Sequence, residues 1–187
     1  MTNLARELFV ADPLEARPGL RLNLGCSNAL EPGFTNVDIC YPNVIPIDIK
    51  FQRADLTKPW PWVAGEVDYI RAWDIIEHLP NKIGTMNEAW RVLRPGGLFE
   101  IVVPTTDGHG ADQDPQHCAK WNIGSFQYFV DDPRWPAESL HRQRFGKDYG
   151  IRCTFLMRHA EIVNYDAVVF GLPSHVPKLT IVLEAVK

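Results

Sequence analysis

The sequence predicts an α/β fold: a mostly parallel sheet with helices between its strands, closed by an antiparallel strand. Three observations predict it. Short apolar runs at 20–24, 34–38, 67–72 and 98–103 alternate with loops and with one well-formed amphipathic helix. The first run ends in a glycine, Gly25, and the second in an aspartate, Asp38. The last run, Lys178 to Val186, follows Gly171-Leu172-Pro173 at hairpin distance, which makes it antiparallel to its neighbour.

Each element has a local reason. Leu4, Leu8 and Ala11 have helical spacing behind Thr2, and Asp12-Pro13 stops that short helix over 2–11. Pro18-Gly19 turns into the first strand. Only a turn or two of helix fits between Gly25 and Pro32-Gly33, where a parallel crossover usually takes a dozen residues or so. Pro42 and Pro46 keep 40–50 out of a helix, and Lys58-Pro59-Trp60-Pro61-Trp62 makes a rigid aromatic turn. After the strand at 67–72, Asp74 is expected to cap a helix running to Leu79, and Asn81 a second one over 82–93. Ile83, Met86, Ala89, Trp90 and Leu93 form the buried face of that second helix. Arg94-Pro95-Gly96-Gly97 turns into Leu98–Val103, apolar enough to be covered on both faces. Residues 104–150 break the rhythm, with a short helix at Asn122–Phe129, and read as a long loop or lid insertion over the site. Residues 151–158 and 161–170 are extended, as one bent strand or two.

Composition bounds the rest. The 187 residues are read as a single domain, 1–187, with 45% hydrophobic and 22% charged residues. A formal charge of −4 argues against a large nucleic-acid surface. Arg134, His141, Arg142, Arg144 and Lys147 make one local basic run, read first as a solvated loop. Cys26, Cys40, Cys118 and Cys153 have no CxxC spacing, so no zinc knuckle or dithiol motif is expected. No secretory or membrane-spanning apolar run is present, so a cytoplasmic location without a membrane span is expected. Oligomeric state has no signature in the sequence.

Ligands on such sheets bind outside the carboxyl ends of the strands. Gly25-Cys26-Ser27, Asp38, Asp55, Trp73-Asp74 and 104–117 all fall there. A glycine turn lets a ligand approach the backbone, and an aspartate at the next strand tip accepts hydrogen bonds from a ribose diol.

Five blocks occur in order: Leu22-Asn23-Leu24-Gly25-Cys26, Asn36-Val37-Asp38, Asp55-Leu56, Ile76-Glu77-His78-Leu79 and Arg91-Val92-Leu93-Arg94-Pro95-Gly96-Gly97. Together they resemble the class I S-adenosylmethionine-dependent methyltransferases, over roughly residues 20 to 117. Glu88 to Gly97 is the most specific block, and Asp114-Pro115-Gln116-His117 resembles an element that follows a strand in many relatives. The sequence departs from the pattern at Asn23, where an acidic residue is common, at Ser27 in place of a second glycine, and in its short first crossover.

The resemblance implies a Rossmann-like methyltransferase fold and S-adenosylmethionine as cofactor. Its cofactor contacts would be Asn23, Gly25, Cys26, Ser27, Asp38, Ile39, Asp55, Leu56, Trp73, Asp74 and His78. Amides at Gly25–Ser27 would face the methionine part and Asp38 the ribose. Asp55 and Leu56 would meet the adenine, and Trp73-Asp74 would lie near the sulfonium. The expected catalytic residue is His117, oriented by Asp114, acting on an O or N nucleophile of a small-molecule, sugar or lipid-like acceptor. A nucleic-acid or protein acceptor is the second reading, and a non-catalytic cofactor-binding module the third. Asp74, Glu77 and His78 at i, i+3 and i+4 also resemble the metal motif of some O-methyltransferases, which His117 could complete. Such residues are more often helix-packing groups, so a divalent metal is not favoured and no metal ligand is assigned.

Overall fold

In this computed structural model the described residues are 19–131, 144–169 and 172–187. The expected helix over 2–11 and most of the basic run lie outside them. Seven strands form one sheet: β1 (Leu20–Leu24), β2 (Thr35–Asp38), β3 (Lys50–Arg53), β4 (Val67–Trp73), β5 (Leu93–Pro104), β6 (Phe155–Val169) and β7 (Leu172–Ala185). Their order is β3-β2-β1-β4-β5-β7-β6. The pairs β2–β3, β1–β2, β1–β4 and β4–β5 are parallel, while β7 runs antiparallel to both β5 and β6. This is the α/β sheet with a reversed last strand that the sequence predicts. The strand order reverses at β1, which has β2 on one side and β4 on the other.

One face of the sheet is apolar. Leu22, Leu24, Ile70, Ala72, Phe99, Ile101 and Val103 are buried there, in one cluster with Met86, Ala89 and Val92 of helix α1 (Lys82–Val92). Burying such side chains contributes roughly 1.5–3 kcal/mol each. Asn81 caps α1 as expected, its side chain accepting from the Gly84 amide at 2.8 Å. The alternate positions carry Arg21, Asn23, Tyr69, Arg71, Trp73 and Glu100. The Arg21 guanidinium lies over Phe34 and Tyr69, and that of Arg71 over Phe34 and Trp73. Leu98–Val103 is therefore not apolar throughout. Glu100 is buried and accepts from the Tyr69 hydroxyl and, at 3.2 Å, from the Trp73 indole.

The short crossover after β1 contains turns and no helix. Ala29 N–H donates to the Cys26 carbonyl, and Phe34 N–H to that of Glu31. A buried side chain, Asn36, replaces the missing helix as the organiser. It accepts from Glu31 N–H and from the Asn23 amide, both at 2.8 Å, and donates to the carbonyls of Glu31 and Lys50. The residues Arg94–Gly97 bulge out within β5, since Val67 pairs with Leu93 and Tyr69 already with Leu98.

The segment following β5 carries two short helices, α2 (Gly110–Gln113) and α3 (Ile123–Gln127). Residues 119–130 pack into the core: Trp121 and Phe126 are fully buried, with ring centroids 4.8 Å apart. β6 is a single strand, irregular between Met157 and His159, which joins the two extended stretches read from the sequence.

Candidate active site

The carboxyl ends of β1, β2, β3 and β4 converge on one cleft. It is lined by Gly25, Asp38, Ile39, Ala54, Asp55, Leu56, Thr57, Ile75, His78 and Leu79. Six of the expected cofactor residues are thus brought together: Gly25, Asp38, Ile39, Asp55, Leu56 and His78. Gly25 has φ +64°, and a Cβ there would stand 2.6 Å from the Ile75 side chain. The turn needs glycine for its conformation and for its clearance.

Asp38 is held from both sides. Its Oδ2 accepts from Ser27 N–H and its Oδ1 from Cys40 N–H, each at 2.9 Å. Cys26 N–H donates to Val37 O at 3.1 Å, so this amide is spent within the fold. The Cys26 thiol is buried, and burial first, then the nearby Asp38 carboxylate, pushes its pKa up to about 11. Asp55 starts a turn: its carboxylate accepts from the hydroxyl and amide of Thr57, which hold it below the usual carboxylate range.

The structure places the other expected residues differently. Asn23 is buried below the loop, its amide donating to Ala29 O and to Asn36. Cys26, Ser27 and Asp74 do not line the cleft, and neither does Trp73, whose indole turns to Glu100. Ile75 stands in the cleft instead; its sequence signal was overshadowed by the tryptophan two positions earlier.

Asp74 is not a helix cap. It has φ +51°, donates its N–H to Val102 O at 2.9 Å, and holds Lys178 Nζ of β7 at 2.5 Å. The expected helix from Asp74 is a single 3-10 turn, Ile76–His78, with no side-chain cap. The left-handed residue swings the Asp74 carboxylate toward β7, so Asp74, Glu77 and His78 do not form one helical face. Lys178 has no local signal in the sequence, being 104 positions from its partner.

Glu77 and His78 meet His117 instead. Residues 114–121 dock on the 3-10 turn through Ala119 N–H on Glu77 O at 2.8 Å and Trp121 Nε1 on Ile76 O at 3.4 Å. Asp114 opens that segment as a turn, accepting the Gln116 amide at 2.8 Å. His117 Nε2 then lies 4.0 Å from both Glu77 Oε1 and Asp114 Oδ2, and the His117 and His78 rings meet edge to face at 4.9 Å. Glu77 is only 2% exposed. Burial pushes its carboxyl up to about 7, with Asp74 and Asp114 adding to the rise while its own backbone amide and Lys178 oppose it. This glutamate–histidine cluster adjoins the cleft through His78, which belongs to both.

A family model described as a methyltransferase domain matches residues 11–152, well over half of the chain. No curated protein sequence matches it. Among solved structures, the YcgJ protein from Bacillus subtilis has a TM-score of 0.58 at 13% identity, over 91% of this chain and 93% of that one. An S-adenosylmethionine-dependent methyltransferase from Mesorhizobium loti has 0.54 at 13%, over 97% and 95%. A SAM-dependent methyltransferase from Methanosarcina mazei has 0.52 at 10%, over 100% and 98%. At such identities the likeness shows the fold, and the family match shows the chemistry. Among the described residues, no helix is long and apolar enough to cross a membrane. The chain belongs to the methyltransferase domain family and is an S-adenosylmethionine-dependent methyltransferase with a Rossmann-like fold.

Proposed function

We propose that the acceptor is an O or N nucleophile of a small molecule, a sugar or a lipid-like compound, bound beside Glu77, His78 and His117. One observation carries this reading: a buried carboxylate and a histidine stand 4.0 Å apart against the cofactor cleft. Methyl transfer from a sulfonium is an in-line displacement, so the protein mainly positions and desolvates the reactants. A neutral O–H or N–H acceptor must also lose a proton, and His117 is the group assigned to take it, with Asp114 at 4.0 Å orienting the ring.

On the cofactor side, Gly25 opens the approach to the methionine part and Asp38 receives the ribose diol. Asp55 and Leu56 receive the adenine, and Ile39, Ile75 and Leu79 form the apolar wall. Asn23, Cys26 and Ser27 act through the loop they hold, and Trp73 and Asp74 through the backbone of β4's end. Residues 105–118 flank the acceptor side. A nucleic-acid acceptor would have to use Arg144, Lys147 and the rest of the basic run.

The test is a screen of metabolite and nucleic-acid pools with methyl-labelled S-adenosylmethionine. Label should pass to a small molecule, and His117→Ala should abolish transfer while leaving S-adenosylhomocysteine binding intact. Label entering only nucleic acid or protein, or a fully active His117→Ala, would overturn the assignment.

A further inference from the structure

The geometry points to a divalent-cation site formed by Glu77, His78 and His117, three protein ligands with open positions facing the acceptor side of the cleft. It rests on the cleft of the reading above and goes beyond it, giving His117 the role of a ligand in place of that of a base.

One donor atom from each of the three side chains lies within 4.8 Å of the other two. Bonds of about 2.0–2.2 Å to a common ion would bring such donors to about 3–4 Å from one another, a closure of at most about 2 Å. Glu77 Oε1 and His117 Nε2, at 4.0 Å, are already close to that separation.

The groups are also short of partners. Apart from the local contact with Glu77's own backbone amide, both Glu77 carboxylate oxygens and His117 Nδ1 are buried without a hydrogen-bond partner. Glu77 is 2% exposed. A buried carboxylate with neither oxygen satisfied costs several kcal/mol unless something compensates it. Its surroundings compensate little: Asp74 and Asp114 carry the same sign of charge, and Lys178, which opposes them, is held by Asp74. A dication compensates Glu77 directly and makes use of lone pairs on both imidazoles.

The donor set selects the ion. Two imidazoles and one carboxylate suit a first-row transition ion such as Zn²⁺ or Fe²⁺. Mg²⁺ prefers oxygen ligands and dehydrates reluctantly. Three protein ligands leave positions for water or for an acceptor oxygen, as sites that do chemistry require. The framework is fixed before any ion arrives, because Ala119 N–H on Glu77 O and Trp121 Nε1 on Ile76 O hold the His117 segment to the 3-10 turn. With the ion bound, His117 is a ligand and not a base, so the two roles are exclusive and separable.

The experiment is calorimetric titration of the full chain, dialysed against a chelator, with Zn²⁺ and separately with Mg²⁺, and a Co²⁺ absorption spectrum. One Zn²⁺ per chain is expected, with Mg²⁺ at least about 100-fold weaker. Glu77→Gln and His117→Gln should each lower Zn²⁺ affinity at least about tenfold and change the Co²⁺ bands. Removing the exposed histidines of the surface pairs His159–Glu161 and His175–Asp166 should leave binding unchanged. S-Adenosylhomocysteine binding, measured on the same samples, shows that each variant is folded and tests the methyltransferase reading separately. Absence of stoichiometric Zn²⁺ binding, or binding indifferent to both Glu77→Gln and His117→Gln, overturns the metal site; undiminished methyl transfer by chelator-treated protein leaves His117 as the base.

Discussion

Asp38, which lines the candidate cleft, accepts the backbone N–H of Ser27 through Oδ2 at 2.9 Å. The same carboxylate that is assigned to the ribose therefore also fixes the loop that follows Gly25. Asp38→Ala should lower affinity for S-adenosylhomocysteine about 10–100-fold, the range expected for losing hydrogen bonds to a charged acceptor. Calorimetry checks it, and an unchanged affinity removes Asp38 from the ribose.

Gly25→Ala should damage fold and binding together. The left-handed φ alone costs about 1–2 kcal/mol for a residue with a Cβ, and the new Cβ would meet Ile75 at 2.6 Å. Urea unfolding should show a loss larger than the backbone term. Adding Ile75→Ala should recover the steric part and leave the conformational part, so an identical loss in single and double variants would disprove the contact.

The aromatic turn is clamped to α1 by an ion pair. Arg91 donates Nε and Nη2 to Glu88 at 2.8 Å and also reaches the carbonyls of Trp60 and Trp62, while Glu88 Oε2 accepts Trp60 N–H at 2.7 Å. These bonds, Arg91's foremost, hold the Glu88 carboxyl below its usual range. A depressed folded pKa gives stability that is complete above the unfolded pKa of about 4.3 and is lost as pH falls through the folded value. The stability difference between wild type and Glu88→Gln should be constant from neutral pH down to about 5 and shrink below about 4. Urea midpoints at a series of pH values measure it; a difference that grows on acidification would contradict the clamp.

Asn36→Ala should destabilise by about 3 kcal/mol, since it strands three part-buried backbone groups and the buried Asn23 amide. Glu31 N–H, Glu31 O and Lys50 O all lose a partner. Denaturant unfolding gives the value, and a loss below about 1 kcal/mol would mean that the crossover does not depend on this side chain.

The strands and the α1 cap were legible because their signals are local: alternation in β4, Asn81 before an amphipathic run, proline and glycine at the turns. The cleft was largely legible for the same reason, since Gly25, Asp38 and Asp55 each end a strand. Asp74 was misread because its sequence context resembles a helix start, whereas its conformation is set by β5 and by Lys178. Trp73 and Ile75 stand two positions apart in sequence, yet Trp73 turns to Glu100 while Ile75, beyond the left-handed Asp74, enters the cleft. Glu100 sits in an apolar run, and its buried carboxylate is met by Tyr69, Trp73 and Arg71. Long-range partners decide all four, and no window of sequence contains them.

The reversed strand has a consequence for how the chain is assembled. β1 to β5 can pair as they emerge, each beside a strand already made. β6 cannot join them, because its place in the sheet is next to β7, which is synthesised after it. Until β7 inserts, the free edge of β5 is an unpaired template for association with other chains. The same strand delivers Lys178 to Asp74. Sheet closure and completion of this end of the site are thus one event, and a nascent chain stalled before residue 172 would have its cofactor loop in place but neither a sealed sheet nor that ion pair.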